Sequence, residues 1–221
     1  MKLFLDTADV DEISKAYETG LLDGVTTNPT LILKSGRIPQ DVIREIGQSF
    51  PALDSISAEV VADDVHGMME QAEEYICMDG NITIKVPMTV PGLQTCKALS
   101  SIGHSVNVTL VFSLAQHILA KNAGAEYVSP FVGRWEDNGI CGVDLINKIY
   151  EYNSKDISFY NGYNTKTLAA SLRDVRSVEA CALAGADVCT MPPAVFWKMY
   201  NNIMTDKGLE LFQKDWENVT R

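Results

Sequence analysis

Lys85 sits in Ile82-Thr83-Ile84-Lys85-Val86-Pro87-Met88, an alternating apolar run closed by a proline. A lysine facing inward on a buried strand is desolvated, and desolvation favours the neutral amine over the ammonium ion. A neutral amine is a nucleophile that condenses with a carbonyl to give a Schiff base. The competing reading is an edge strand whose lysine points to solvent, and the local pattern is compatible with both. A lysine nucleophile requires a sugar or keto carbonyl, an acid and base to shuttle protons during imine formation, and a separate base for bond breaking. Glu59 and Asp6, each at the end of an apolar run, are candidates to divide those tasks.

The elements that must position these groups are eight short β-rich runs, at residues 3–7, 24–28, 55–60, 82–88, 105–111, 127–132, 167–172 and 188–192. Amphipathic segments fill the gaps, at 10–17, 39–49, 63–77, 91–101, 113–122, 139–152, 174–184 and 194–200. Caps and early prolines open several of them, as at Ala62-Asp63 and Val90-Pro91-Gly92. Eight strands with helical crossovers in 221 residues predict an α/β fold, a single (β/α)8 TIM barrel spanning residues 1–221. The rival is a doubly wound open sheet, but no glycine-rich GxGxxG turn follows the first strand. A ninth helical segment, 206–216, lies past the last strand with Leu209, Leu211, Phe212 and Trp216 on its apolar side. It packs back on its own barrel, the commoner outcome, or docks on a neighbouring subunit. The polar stretch 153–164 reads as a surface loop.

Barrel chemistry sits at the C-terminal strand ends, and the unusual polar residues fall there. Strand 1 ends at Asp6, strand 2 at Thr26-Thr27-Asn28-Pro29, strand 3 carries Glu59 and strand 4 Lys85. Strand 5 has Asn107 and Thr109, strand 6 Ser129 and Arg134, and strand 7 Ser171 and Arg173, whereas strand 8 offers no acid, base or cation. Taken singly each has a plainer reading: Asp6 as a helix cap, Thr109 as strand filler, Arg134 as a surface cation. Together, Arg134, Arg173 and Ser171 bring positive charge and a hydroxyl to the strand 7 to 8 region, where barrels hold phosphate. The expected substrate is a phosphorylated carbonyl compound.

Composition narrows the classes further. At 46% hydrophobic and 21% charged, with 15 glycines, the chain reads as soluble and globular. Its net charge of -11, with no run among its 18 basic residues, argues against a nucleic-acid partner. No segment has the length of apolar sequence that a membrane span or a signal peptide requires, so a cytoplasmic location is expected. Cys77, Cys96, Cys141, Cys181 and Cys189 show no metal or redox spacing and read as core residues in a reducing compartment. His66, His104 and His117 are scattered, each as compatible with a helix surface or loop as with a ligand role.

Four motifs carry a resemblance to a known family: Phe4-Leu5-Asp6-Thr7, Gly24-Val25-Thr26-Thr27-Asn28-Pro29-Thr30, Ile84-Lys85-Val86-Pro87 and Ser129-Pro130-Phe131-Val132-Gly133-Arg134. They resemble those of the small transaldolases, and the likeness continues through Ala169-Ala170-Ser171-Leu172-Arg173 to Gln213-Lys214-Asp215-Trp216. The resemblance implies transfer of a dihydroxyacetone unit from fructose 6-phosphate or sedoheptulose 7-phosphate to an aldose phosphate, without a cofactor. It implies that Lys85 attacks the ketose C2, that Asp6 takes the C4 hydroxyl proton, and that Glu59 with Thr109 handles a catalytic water. Asn28, Asn107 and Ser129 match positions holding the donor hydroxyls, and Arg134, Ser171 and Arg173 match the phosphate pocket. Fructose 6-phosphate aldolases belong to the same subfamily; they carry tyrosine at the position of Phe131 and glutamine at that of Glu59. Phe131 and Glu59 therefore favour the transaldolase reading. A catalytically silent sugar-phosphate-binding barrel is the remaining alternative, and the retained Asp6, Glu59 and Lys85 speak against it. Homo-oligomeric rings, pentamers or decamers with the last helix reaching a neighbour, are implied as well. Trp135 and Pro192-Pro193 match no motif of the family.

Overall fold

The computed structural model describes residues 1–78, 80–155 and 165–219. Eight parallel strands, β1 (Lys2–Asp6), β2 (Gly24–Thr26), β3 (Ser55–Glu59), β4 (Ile82–Pro87), β5 (Val106–Val111), β6 (Tyr127–Pro130), β7 (Lys166–Ala169) and β8 (Val188–Met191), close into a barrel in sequence order. The fold is thus a (β/α)8 TIM barrel with an added C-terminal helix, and the open-sheet alternative falls with the β1 to β8 pairing. Each strand alternates between two environments. In β4, Ile84 and Val86 join the core that packs between barrel and helices, while Thr83 and Lys85 face the barrel interior. The small apolar cluster of Phe4, Tyr127, Leu168, Ala170 and Val188 fills part of that interior. Phe4 lies over Gly24, where any β-carbon would come within 2.6 Å of its ring, so the Gly24 position makes room for the plug.

The helices α1 (Val10–Tyr17), α2 (Pro29–Ser35), α3 (Pro39–Ser49), α4 (Val65–Ile76), α5 (Val90–Ser101), α6 (Leu114–Asn122), α7 (Val132–Glu136), α8 (Val143–Lys155), α9 (Val175–Leu183), α10 (Pro193–Lys198) and α11 (Ile203–Val219) follow the strands. Asp9 caps α1 by accepting from the amides of Asp11 and Glu12, which leaves Asp6 out of the capping role. Asp64, one residue later than expected, caps α4, and Thr89 caps α5 ahead of its proline.

Two segments that read as strand or loop are short helices. In α2, Asn28 caps and Pro29 occupies the first turn; in α7, the helix begins directly after Phe131. Arg134 is consequently on α7 rather than on β6, and Ser171 and Arg173 lie beyond the end of β7. The polar stretch expected as a loop starts as the last turn of α8, which includes Asn153, and its residues 156–164 lie outside the described residues.

Other expectations change with burial. Cys77 and Cys141 are exposed, so only Cys96, Cys181 and Cys189 are core residues. His117 is fully buried against Asn153 of α8, with its pKa pushed down to about 4 by that burial. The added helix α11 buries none of its side chains on its own barrel, contrary to the commoner outcome.

Candidate active site

Strand register brings the reactive groups together. Glu59 of β3 pairs with Lys85 of β4, and Lys85 pairs with Asn107 of β5, so three interior positions share one level. Lys85 is buried, and its Nζ lies 2.9 Å from Glu59 Oε2 and donates to the Thr27 carbonyl oxygen at 3.0 Å. The edge-strand reading of Lys85 is thereby excluded. Asn107, fully buried, accepts from Ser129 Oγ at 2.7 Å and donates to Ser57 Oγ at 3.4 Å, which fixes the rotamer of the serine at the cavity wall. Both hydrogen bonds lie inside the barrel, where a satisfied polar network holds its geometry.

On the opposite side, Asp6 Oδ1 accepts from Thr26 Oγ1 at 2.8 Å. Asn28 Oδ1 is engaged by the Leu31 amide at 3.0 Å as the cap of α2, so the amide NH2 is the end that Asn28 offers to Asp6. Burial raises the Asp6 pKa above the ordinary carboxylate value; the Lys85 charge and the hydrogen bonds of Thr26 and Asn28 oppose that shift without cancelling it. A carboxylate raised in this way is a stronger base than one in water.

Backbone strain collects at the same place. Among the described residues, the only non-glycine residues with left-handed backbone are Leu110 (φ 61°) and Ser171 (φ 62°), and both line the cavity. At Leu110 the β5 to β6 register shifts between Val108 and Val111, and the adjacent Thr109 Oγ1 is buried against the cavity with no hydrogen-bond partner among the described residues. At Ser171 the close neighbour is Gly133 of α7: a β-carbon there would overlap the Ser171 carbonyl oxygen. Glycine at 133 is what lets α7 lie against the end of β7 and carry Arg134 to the rim.

These groups open on one cavity of about 360 Å³ at the C-terminal ends of the strands. It is lined by Asp6, Thr26, Asn28, Glu59, Lys85, Thr109, Ser129, Phe131, Arg134, Ser171 and Arg173; Asn107 alone of the expected residues lies beneath the wall. The rim after β6 and β7 is cationic: Arg134 lies 5.8 Å from the Phe131 ring, and Arg173 Nη2 pairs with Asp137 Oδ2 at 2.7 Å. Sequence reasoning missed Thr190 of β8, which also lines the cavity and stands 2.6 Å from Thr26 Oγ1. A lone threonine in an apolar run carries no signal of its own. Among the described residues no three His, Cys, Asp or Glu side chains are placed to hold a metal ion, and no helix is long and apolar enough to cross a membrane.

A parallel barrel with a buried amine, two flanking carboxylates and a cationic rim at its C-terminal face has the plan of a carbonyl-processing (β/α)8 enzyme. Residues 3–221 match the family described as Transaldolase/Fructose-6-phosphate aldolase, and the chain belongs to that family. Among its relatives, a probable transaldolase of Chelativorans sp. (strain BNC1) is 51% identical over 218 residues, covering 98% of this chain and 96% of the relative. Probable transaldolases of Jannaschia sp. (strain CCS1) and Paracoccus denitrificans (strain Pd 1222) are each 49% identical, again over 98% of this chain and 96% of theirs.

Proposed function

We propose that the protein is a transaldolase, passing a dihydroxyacetone unit from a ketose phosphate, fructose 6-phosphate or sedoheptulose 7-phosphate, to an aldose phosphate. The reading is carried by one observation: Lys85 Nζ, 2.9 Å from Glu59, opens on the same cavity as Asp6 and the two rim arginines. In this reading Lys85 Nζ attacks the ketose C2, and Glu59, acting through a water also held by Thr109, moves the protons as the carbinolamine loses water. Asp6 then takes the C4 hydroxyl proton. The C3–C4 bond breaks, its electron pair passes into the protonated imine, and the aldose phosphate leaves. Ser129, held in place by Asn107, and Asn28 orient the enamine that remains on Lys85. Addition to an acceptor aldehyde and hydrolysis reverse these steps and free the amine.

Phe131 and Glu59 favour transfer over release. A phenol in place of Phe131 would add a proton donor able to complete loss of the three-carbon unit, whereas the phenyl ring leaves the enamine to meet an aldehyde. The reaction as written draws on no metal or other cofactor. A coupled assay with fructose 6-phosphate, with and without erythrose 4-phosphate, tests the assignment. Turnover only with the acceptor is the expected result; glyceraldehyde 3-phosphate release without it would make the protein a fructose 6-phosphate aldolase.

We further infer a cytoplasmic protein working as a homo-oligomeric ring, pentamer or decamer, in which α11 reaches a neighbouring subunit. The exposure of Leu209, Leu211 and Phe212 supports this, since an apolar face on a helix that buries nothing at home needs cover. Truncation after Lys207 is expected to lower the sedimentation coefficient, and an unchanged one would refute the arrangement.

A further inference from the structure

We propose that Thr190 is a positioning residue for the base: it donates to Thr26 Oγ1 and thereby aims the Thr26 hydroxyl proton at Asp6. The inference rests on the reading of Asp6 as the group that accepts the C4 hydroxyl proton. Thr26 has one hydroxyl proton, and its hydrogen bond to Asp6 Oδ1 at 2.8 Å uses it. The contact between Thr26 Oγ1 and Thr190 Oγ1 at 2.6 Å must then be a donation from Thr190, because an ionised carboxylate has no proton to return. The result is a directed chain, Thr190 to Thr26 to Asp6, ending on the carboxylate.

The fold explains why the chain forms. β8 and β2 flank β1, and Thr190 is paired with Phe4 while Thr26 is paired with Asp6. Side chains of alternate strands meet in layers inside a closed barrel, so the hydroxyls of β8 and β2 touch across β1. Both threonines are almost fully buried, at 3% and 2% exposure, although they line the cavity, so water has little access to either side chain. In such surroundings each hydrogen bond polarises the next, and a bond ending on a charge gains most. Thr190 therefore stabilises ionised Asp6 over its neutral form, against the burial that favours the neutral acid.

Thr190→Val keeps the shape of the side chain and removes the donor, while Thr190→Ser restores it. The acid limb of kcat/KM is expected to move to higher pH in the valine variant, with about a tenfold loss on that limb, and to return in the serine variant. An isotope-edited infrared titration of the carboxylate bands, with Asp6→Asn to assign the Asp6 band, reads the same shift without turnover. If valine leaves the Asp6 titration unmoved, or serine fails to restore it, the proposal is overturned. If the wild-type protein does not turn over sugar phosphates, the functional reading fails, and the infrared comparison still decides whether Thr190 biases Asp6.

Discussion

Lys85, Glu59, Asn107 and Ser129 stand on the strand side of the site, within β3 to β6, whereas Arg134 and Arg173 stand on its rim side, past the ends of β6 and β7. Lys85, Asn107 and Ser129 are buried and Glu59 partly so, Lys85 pairs with Glu59 and Asn107 with Ser129, and the spacing follows from parallel register. Both rim arginines are exposed, and Arg173 is held by the exposed Asp137. Bond making needs groups fixed to a fraction of an ångström, which a closed barrel supplies, while holding a charged tail needs only convergent charge that water and substrate can exchange. The strained turn at Ser171 and the close approach at Gly133 join the two sides.

If this division holds, variants on the two sides should fail differently. Lys85→Met is expected to abolish turnover, a loss of more than about 10⁴-fold, in a protein that still folds, because no neighbouring group replaces a nucleophile. Residual transfer by that variant, measured in the coupled assay, would place the chemistry elsewhere. Asp6→Asn should lower kcat by about 10²- to 10⁴-fold.

The pH dependence of the Asp6 side carries two opposite signs. In the proposed reaction Asp6 must be ionised to take the proton, so activity is expected to fall as pH drops through a pKa raised above the ordinary carboxylate range by burial. Folding responds the other way: the folded state binds this proton more readily than the unfolded chain, so ionising Asp6 destabilises the protein. Asp6→Asn should therefore raise the melting temperature at neutral pH while removing activity, and a lower melting temperature would contradict the burial argument.

Gly133→Ala tests the junction. The overlap with the Ser171 carbonyl must be relieved by moving α7, and denaturant titration should show a loss of about 1–3 kcal/mol with weaker substrate binding. Arg173→Ala, on the rim alone, is expected to raise KM about 10- to 100-fold with kcat nearly unchanged, as the loss of a charge-assisted contact to phosphate requires. Asp137→Ala should change KM less than about fivefold, since exposed ion pairs contribute little. An Arg173→Ala effect confined to kcat would erase the distinction between the two sides.

Legibility followed the same boundary. α1 and α3 carry an N-cap or an early proline and a clear apolar face, and the spans expected from sequence, 10–17 and 39–49, are those observed. Period-two alternation puts Lys85 on the face opposite Ile84 and Val86, but it is closure of the barrel that turns this face to the interior rather than to solvent. α7 was not legible, because Tyr127 to Val132 reads as one continuous β-rich run and nothing local marks the turn after Phe131. α2 had its Asn-Pro start, but seven residues give too little periodicity to call attention to a helix. The register shift at Thr109, the left-handed backbone of Leu110 and Ser171, and the reach of Thr190 across β1 are products of barrel closure, which no window of sequence contains.

Whether Lys85 forms the covalent intermediate is decided by borohydride reduction in the presence of fructose 6-phosphate, followed by peptide mass spectrometry. A reduced adduct is expected on the peptide containing Lys85, formed only with substrate and absent from Lys85→Met. Turnover without any trapped adduct, or an adduct on another lysine, would contradict that role.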